Sequence, residues 1–271
     1  MKDGKLILSK IGVIKIVQHR EIEGKIKTCT IKKDIDQWYV SFSVEIGIPI
    51  IPVEIKTETG IDVGLKSLIT MSNGSQIEPP EFLRKSEDKL THEQKRLSRK
   101  KKRSQNRNKQ RVIVAKVHRR IRNQRKDFAH KTSKKLVNEY DRIVFEDLQI
   151  QNMVKNHHLA KSISDAGWSQ LINFTKTKAE YAGKIVELVN PRNTSQNCSG
   201  CGNSVKKDLS VRVHSCPFCG LVLDRDHNAA INILGRSNST VGITGIYALK
   251  EYSIEVRCSG MPPAFRSMSL S

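Results

Sequence analysis

Four cysteines packed into residues 198–219 constrain this chain more tightly than any other feature. Cys198, Cys201, Cys216 and Cys219 spell C-x2-C-x14-C-x2-C, and Gly202 and Gly220 directly follow the pairs. Each pair can grip one side of a tetrahedral ion, and the glycine lets the backbone turn tightly beneath the sulfurs. Four thiolates leave no open position, so the site is structural and suits one zinc ion. His214 lies close by, but the ligand set is complete without it, and it reads as a surface or strand histidine. Lys206, Lys207 and Arg212 lie between the pairs, where they could touch phosphate. The two lone cysteines are read as packed in a strand (Cys29) and carried on a loose tail (Cys258).

Immediately after the knuckle comes "LDRDHNAAINILG", a helix that Gly235 closes. Its Asp226 is one of three carboxylates in awkward places. Asp62 follows Ile61 in a strand flanked by Gly60 and Gly64, and Glu146 ends the apolar run Ile143-Val144-Phe145. Burying an unpaired charge is costly, so such residues need partners. Two strand ends and a helix start match a two-metal phosphodiester site. There, Mg2+ or Mn2+ ions about 4 Å apart take oxygen ligands from carboxylates. Of the neighbouring acids, Asp147 should point away from Glu146 by strand alternation, and Asp224 should cap the helix.

Charge points to the substrate. The chain carries 48 Lys+Arg against 27 Asp+Glu, a net charge of +21, which implies a polyanionic partner, nucleic acid above all. Residues 84–126 alone hold 19 Lys/Arg and three acids, Glu87, Asp88 and Glu93. Leu90 and Leu97, then Val117, Ile121, Phe128 and Leu136, keep helical offsets, so this stretch reads as two helices with an apolar seam and basic outer faces. The residues expected to meet phosphate are Arg99, Lys100, Lys101, Lys102, Arg103, Arg107, Lys109, Arg111, Arg119, Arg120 and Arg122. "MKDGKLILSK" lacks the apolar segment of a signal peptide, and the proline-broken run at 46–53 is too short to span a bilayer. The expected compartment is therefore reducing, with no membrane partner.

Elsewhere, "KIGVIKIVQHR" alternates as a strand, and "KTCTIKKDIDQWYVSFSVEI" reads as a hairpin turning near 34–37. "GIDVGLKSLITMSNGSQI" holds a second hairpin at Asn73-Gly74. "DRIVFEDL" suits a central strand, "WSQLINFTKTKAEYAG" a helix stopped by Gly183, and "KIVELVN" another strand. The order predicts an α/β fold: a mixed sheet with a hairpin, covered by helices.

Three segments together, "GIDVGLK", "IVFEDLQIQNM" and "NTSQNCSGCG…CPFCGLVLDRDHNAAINIL", closely resemble the TnpB family, the OrfB-type proteins of insertion sequences, over residues 12–249. The resemblance implies a RuvC-like nuclease of the RNase H fold with an inserted zinc ribbon. It also implies a guide RNA from the mobile element, a DNA target, and Mg-dependent cleavage in a prokaryotic cytoplasm at the nucleoid. By position, Asp62, Glu146 and Asp226 match the catalytic trio, and His227 stands where the family is usually apolar. The organisation expected from it is a partial wedge-type β-barrel over 1–56 and a nuclease core over 57–192 with a basic helical insertion at 84–139. The zinc ribbon takes 193–222, the last nuclease segment 223–236, and a flexible tail 237–271. Met1 falls near the end of the family's barrel, so the upstream barrel and the helical recognition domain are expected to be absent. A non-catalytic nucleic-acid-binding regulator, or a DNA transposase acting by strand transfer, would carry the same charge. A pure binder has no need of three carboxylates, and a transposase would join strands rather than only cut them.

Overall fold

The computed structural model describes residues 4–9, 11–18, 21–208, 210–237 and 249–258. Four strands open the chain: β1 (Lys5–Leu8), β2 (Gly12–Val17), β3 (Lys25–Asp34) and β4 (Gln37–Pro49). Next come β5 (Glu58–Val63), β6 (Ile69–Met71) and β7 (Gln76–Ile77), then the helices α1 (Phe82–Ser98) and α2 (Gln105–Glu139). They are followed by β8 (Arg142–Glu146), α3 (Ile150–Met153), α4 (His157–Ala166), α5 (Trp168–Tyr181) and β9 (Ile185–Val189). The last elements are β10 (Val213–Ser215), β11 (Val222–Asp224), α6 (Arg225–Gly235) and β12 (Leu249–Cys258). Among the described residues, no helix is long and apolar enough to cross a membrane.

The chain divides into two compact units, with boundaries different from the expected segments. One comprises residues 1–50, 91–118 and 246–271; the other comprises 51–90 and 119–245.

The first unit contains a sheet in the order β1-β2-β12-β4-β3. In β2, Ile14 and Ile16 are buried while Val13, Lys15 and Val17 face out, as alternation requires. The β3–β4 hairpin pairs Asp34 with Gln37 across a two-residue turn. β12 corrects the expectation of a loose tail: residues 249–258 pair antiparallel with both β4 and β2. The rest of the tail, 238–248 and 259–271, lies outside the described residues. Cys29 and Cys258 also exchange their expected roles, since Cys29 is exposed and Cys258 is buried in the sheet's apolar cluster. The tip of the α1–α2 hairpin belongs to this unit. It is locked by Arg107, whose Nη1 donates to the carbonyl of Leu97 at 2.8 Å, and by Gln110, whose amide donates to the carboxylate of Glu93 at 2.6 Å. Of the residues expected to form the seam, Leu90, Val117, Ile121 and Leu136 are buried and Leu97 and Phe128 partly so; Leu136 and Phe128, which belong to the second unit, pack with that unit's sheet core.

The second unit is built on a sheet in the order β7-β6-β5-β8-β9, in which β7, β6 and β5 are antiparallel neighbours and β5, β8 and β9 run parallel. Renumbered from β5, this is the 3-2-1-4-5 arrangement of the RNase H fold. Strand alternation sorts the two faces. Ile61, Val63, Ile143 and Phe145 join one core with Leu136, Trp168 and Leu171. Val144 and Val189 join Ile233 of α6 in another cluster. Helix α6 lies directly on β5 because residue 60 is glycine. A Cβ there would fall 2.2 Å from the Ala230 carbonyl oxygen and 2.6 Å from the Leu234 nitrogen. Two short helices, α3 and α4, precede α5 and were not anticipated.

Candidate active site

β5 and β8 are parallel neighbours whose last paired residues are Ile61 and Phe145. One step further along each strand come Asp62 and Glu146, so register and alternation bring these carboxylates side by side on the face opposite Phe145. That face is the one α6 covers. Asp226 sits in its first turn, where the positive end of the helix favours a carboxylate. Burial pushes the Asp62 carboxyl well above the usual range, and the charges of Glu146 and Asp226 push it further; Arg225 opposes them. Burial also raises Glu146, against the Thr194 hydroxyl and the Arg236 guanidinium. Asp62 thus carries the electrostatic cost of two neighbouring acids, and hard divalent cations fit such an oxygen set. The oxygens do not draw within the mutual 4.8 Å that joins the four sulfurs.

The surrounding residues fix these side chains. Thr194 donates its hydroxyl to Glu146 Oε1. Asp224 caps α6, its Oδ1 accepting from the backbone N–H of Asp226 at 2.9 Å and of His227 at 3.3 Å. Arg225 Nε lies 3.5 Å from Asp226 Oδ1. His227 donates from Nε2 to the Ser72 carbonyl at 3.1 Å, and its ring lies against Gly74 of the β6–β7 turn. Asp147 is exposed, turned away from Glu146. Sequence reasoning missed Thr194, which stands within the quoted "NTSQ", and the tethering role of His227.

The cysteine knuckle adjoins the start of α6. Cys198 and Cys219 sulfurs are 3.6 Å apart, as are those of Cys201 and Cys216. The edge of a tetrahedron with Zn–S bonds of about 2.3 Å is about 3.8 Å, so the cluster has the geometry of a structural zinc site. Burial raises the Cys216 thiol, but the N–H groups of Cys219 and Phe218 and its neighbouring thiols bring it down to about 6. The Leu221 N–H lowers Cys219, yet burial and the other three thiols push it up to about 12. The protein alone therefore does not ionise all four sulfurs, and a bound dication would. His214 is on a strand, β10, but fully buried rather than on the surface, with Nδ1 against the Lys207 ammonium. Lys207 also donates to the Ser195 carbonyl at 3.2 Å, so it braces the ribbon from within instead of reaching for phosphate. Lys206 and Arg212 are exposed.

Of the residues expected to meet phosphate, Arg99, Lys101, Lys102, Arg103, Lys109, Arg111, Arg120 and Arg122 are exposed. Lys100, Arg107 and Arg119 are half-buried, and Arg107 is committed to closing the hairpin.

Known proteins resemble this chain over most of its length. The family profile described as "Probable transposase", of the OrfB type, matches residues 41–157, and the one described as "Cas12f1-like, TNB domain" matches residues 168–233. The chain belongs to the TnpB family. A protein of Streptomyces pristinaespiralis named "Putative RNA-guided DNA endonuclease" is 40% identical over 239 residues, covering 86% of this chain and 58% of that protein. "Putative RNA-guided DNA endonuclease InsQ" of Escherichia coli K12 is 31% identical over 258 residues, covering 89% of this chain and 64% of InsQ. This TnpB-family chain thus spans about three fifths of the length of these relatives. A solved CRISPR-Cas12f ternary complex shares its fold with a TM-score of 0.52 at 19% identity, over 79% of this chain and 43% of that one.

Proposed function

We propose that the protein is an RNA-guided, divalent-metal-dependent DNA endonuclease of an insertion sequence. The observation that carries this reading is the placement of Asp62 and Glu146 side by side on one face of an RNase H-type sheet, with Asp226 on the helix that covers it and the charges of both neighbours raising Asp62. The names of the two relatives supply the guide and the DNA target. The three carboxylates are the residues that would hold two Mg2+ or Mn2+ ions. Such ions, when bound, activate water and steady the leaving oxygen of a phosphodiester. The chain's own part is to hold those oxygens in place. Thr194 fixes the rotation of Glu146, Asp224 anchors the first turn that presents Asp226, and His227 ties that turn to Ser72. Exposed lysines and arginines of the α1–α2 hairpin bind the phosphate backbone. The four cysteines hold one structural zinc.

Asp62→Ala, Glu146→Ala and Asp226→Ala should each abolish cleavage of a guide-matched DNA in Mg2+ or Mn2+ while leaving nucleic-acid affinity nearly intact. Asp147→Ala and Asp224→Ala should be milder. Cleavage that survives Asp226→Ala but not Asp224→Ala would overturn the site. Products in which the cut strand is joined to another DNA would mark a transposase instead.

A further inference from the structure

Beyond the basic hairpin tip lies a second arrangement, on the part of α2 within the nuclease unit. The His130 ring stacks on Phe174 of α5, with centroids 3.9 Å apart and planes 10° from parallel. His130 is exposed and Phe174 half-buried, so the phenyl ring backs one face of the imidazole while the exposed side chain meets solvent elsewhere. The pair is held stiffly. Lys178 of α5 donates to the His130 carbonyl at 2.5 Å and to Ser133 Oγ at 2.6 Å, and its ammonium lies 5.9 Å from the centre of the Phe174 ring. Two helices are thereby pinned at the point where the rings meet. Burial, with Lys178 and Lys126 nearby and Asp127 opposing, lowers the affinity of His130 for a proton, so at neutral pH the ring is uncharged.

The flanks carry positive charge. Lys126, His130 and Lys134 follow one another at four-residue spacing on α2, which puts them on one stripe, about 6 Å apart along the axis. Both lysines are exposed. The one acid neighbouring the stripe in sequence, Asp127, is occupied by Lys131 at 2.7 Å. A rigid neutral ring between two exposed cations combines the two parts of a single-strand binding site: a surface for a base and charges for its phosphates. A duplex offers no such fit, because its bases are already stacked and paired.

We infer that His130, backed by Phe174 and flanked by Lys126 and Lys134, is a stacking platform for an unpaired nucleotide of single-stranded nucleic acid. This site lies beyond residues 99–122, which were named above as expected to meet phosphate, and it rests on the reading that the protein binds nucleic acid. Stacking is a contact without charge, so its loss is distinguishable from loss of a phosphate contact by its response to salt.

The test measures Kd of the full chain for short fluorescein-labelled oligothymidylate, oligouridylate and a blunt DNA duplex, over a range of salt concentrations. His130→Ala should weaken single-strand binding by about fivefold or more, with the slope of log K against log salt unchanged and duplex binding unaffected. A loss on either oligonucleotide supports the platform, and the larger loss identifies its strand as RNA or DNA. His130→Phe, which keeps a ring, should retain wild-type affinity. Lys126→Ala and Lys134→Ala should each reduce the magnitude of the slope by about 0.7. Unchanged single-strand affinity in His130→Ala, or an equal loss on duplex, would overturn the platform while leaving the general binding reading in place. No single-strand binding by a wild-type chain that still binds duplex would overturn the platform alone, and no binding of any of the three probes would overturn both.

Discussion

Gly60→Ala adds one methyl group where α6 closes tightly over the face that carries the proposed site. The new Cβ would meet the Ala230 carbonyl oxygen at 2.2 Å, the Leu234 nitrogen at 2.6 Å and the Leu234 Cβ at 2.9 Å. Two of these atoms belong to the α6 backbone and cannot swing aside as a side chain would. Restoring ordinary contact requires α6 to retreat from β5 by about 1 Å, and overpacking of this kind costs about 1–3 kcal/mol. Asp226 rides on that helix while Asp62 stays on β5, so the displacement widens the carboxylate cluster directly. A misplacement of about 1 Å at a reacting centre costs on the order of 100-fold in rate. Mn2+ titration calorimetry, thermal unfolding and cleavage assays of Gly60→Ala should therefore show weaker metal binding, a lower Tm and severely reduced cutting. Gly235→Ala, at the other end of the helix, has nothing within 4 Å of its added methyl and should behave as wild type. Wild-type metal affinity and Tm in Gly60→Ala would refute the close-approach argument.

Two further outcomes follow from other parts of the molecule. Cys201→Ser should release the zinc and loosen the ribbon, since structural zinc contributes on the order of 10 kcal/mol to folding a small module; metal analysis and hydrogen exchange confined to residues 193–222 check this, and a variant that keeps stoichiometric zinc contradicts it. Asp141 contributes to acid stability: burial raises its carboxyl, but the Lys56 and Thr57 N–H groups, Lys184 and the Thr57 hydroxyl together hold it down at about 2. A depressed carboxyl stabilises the fold above its unfolded value of about 4, and that contribution is lost as pH falls toward 2. Asp141→Asn should lower stability at neutral pH and flatten its decline between pH 4 and 2, as followed by urea unfolding.

The sequence was most legible where local chemistry is specific. Cysteine spacing announced the metal knuckle, and the apolar run ending at Glu146 announced a central strand. Asn73-Gly74 announced a turn, in which Gly74 has φ +84°. β12 was hidden by its surroundings: Tyr252, Ile254, Val256 and Cys258 alternate, but a Ser- and Gly-rich context made the stretch read as tail. Its partners in β2 and β4 are 200 or more residues earlier in the chain, and no local pattern reports a pairing at that separation. Arg107 and Lys207 misled for a related reason. In composition they are two more cations among many, and only tertiary contacts reveal that each spends its charge on backbone carbonyls inside the protein.

The position of the knuckle beside the carboxylates has a physical cause in two asparagines of α6. Asn228, fully buried, accepts from the Ser199 N–H at 2.9 Å and donates to the Asn197 carbonyl at 2.8 Å. Asn232, one helical turn later, donates to the carbonyls of Thr194 and Asn197 at 2.8 and 2.7 Å. These bonds fasten the segment that enters the ribbon to the helix that carries Asp226. The same segment bears Thr194, the donor to Glu146. One short stretch of chain therefore touches the Glu146 carboxylate at one end and begins the cysteine cluster at the other, with α6 clamped between them. Buried amide groups left without partners would be costly, so the ribbon base, α6 and the Glu146 strand end are coupled: a movement of the ribbon strains contacts that hold two of the three carboxylates. That coupling gives the cysteine module a reason to be built directly against the proposed carboxylate site.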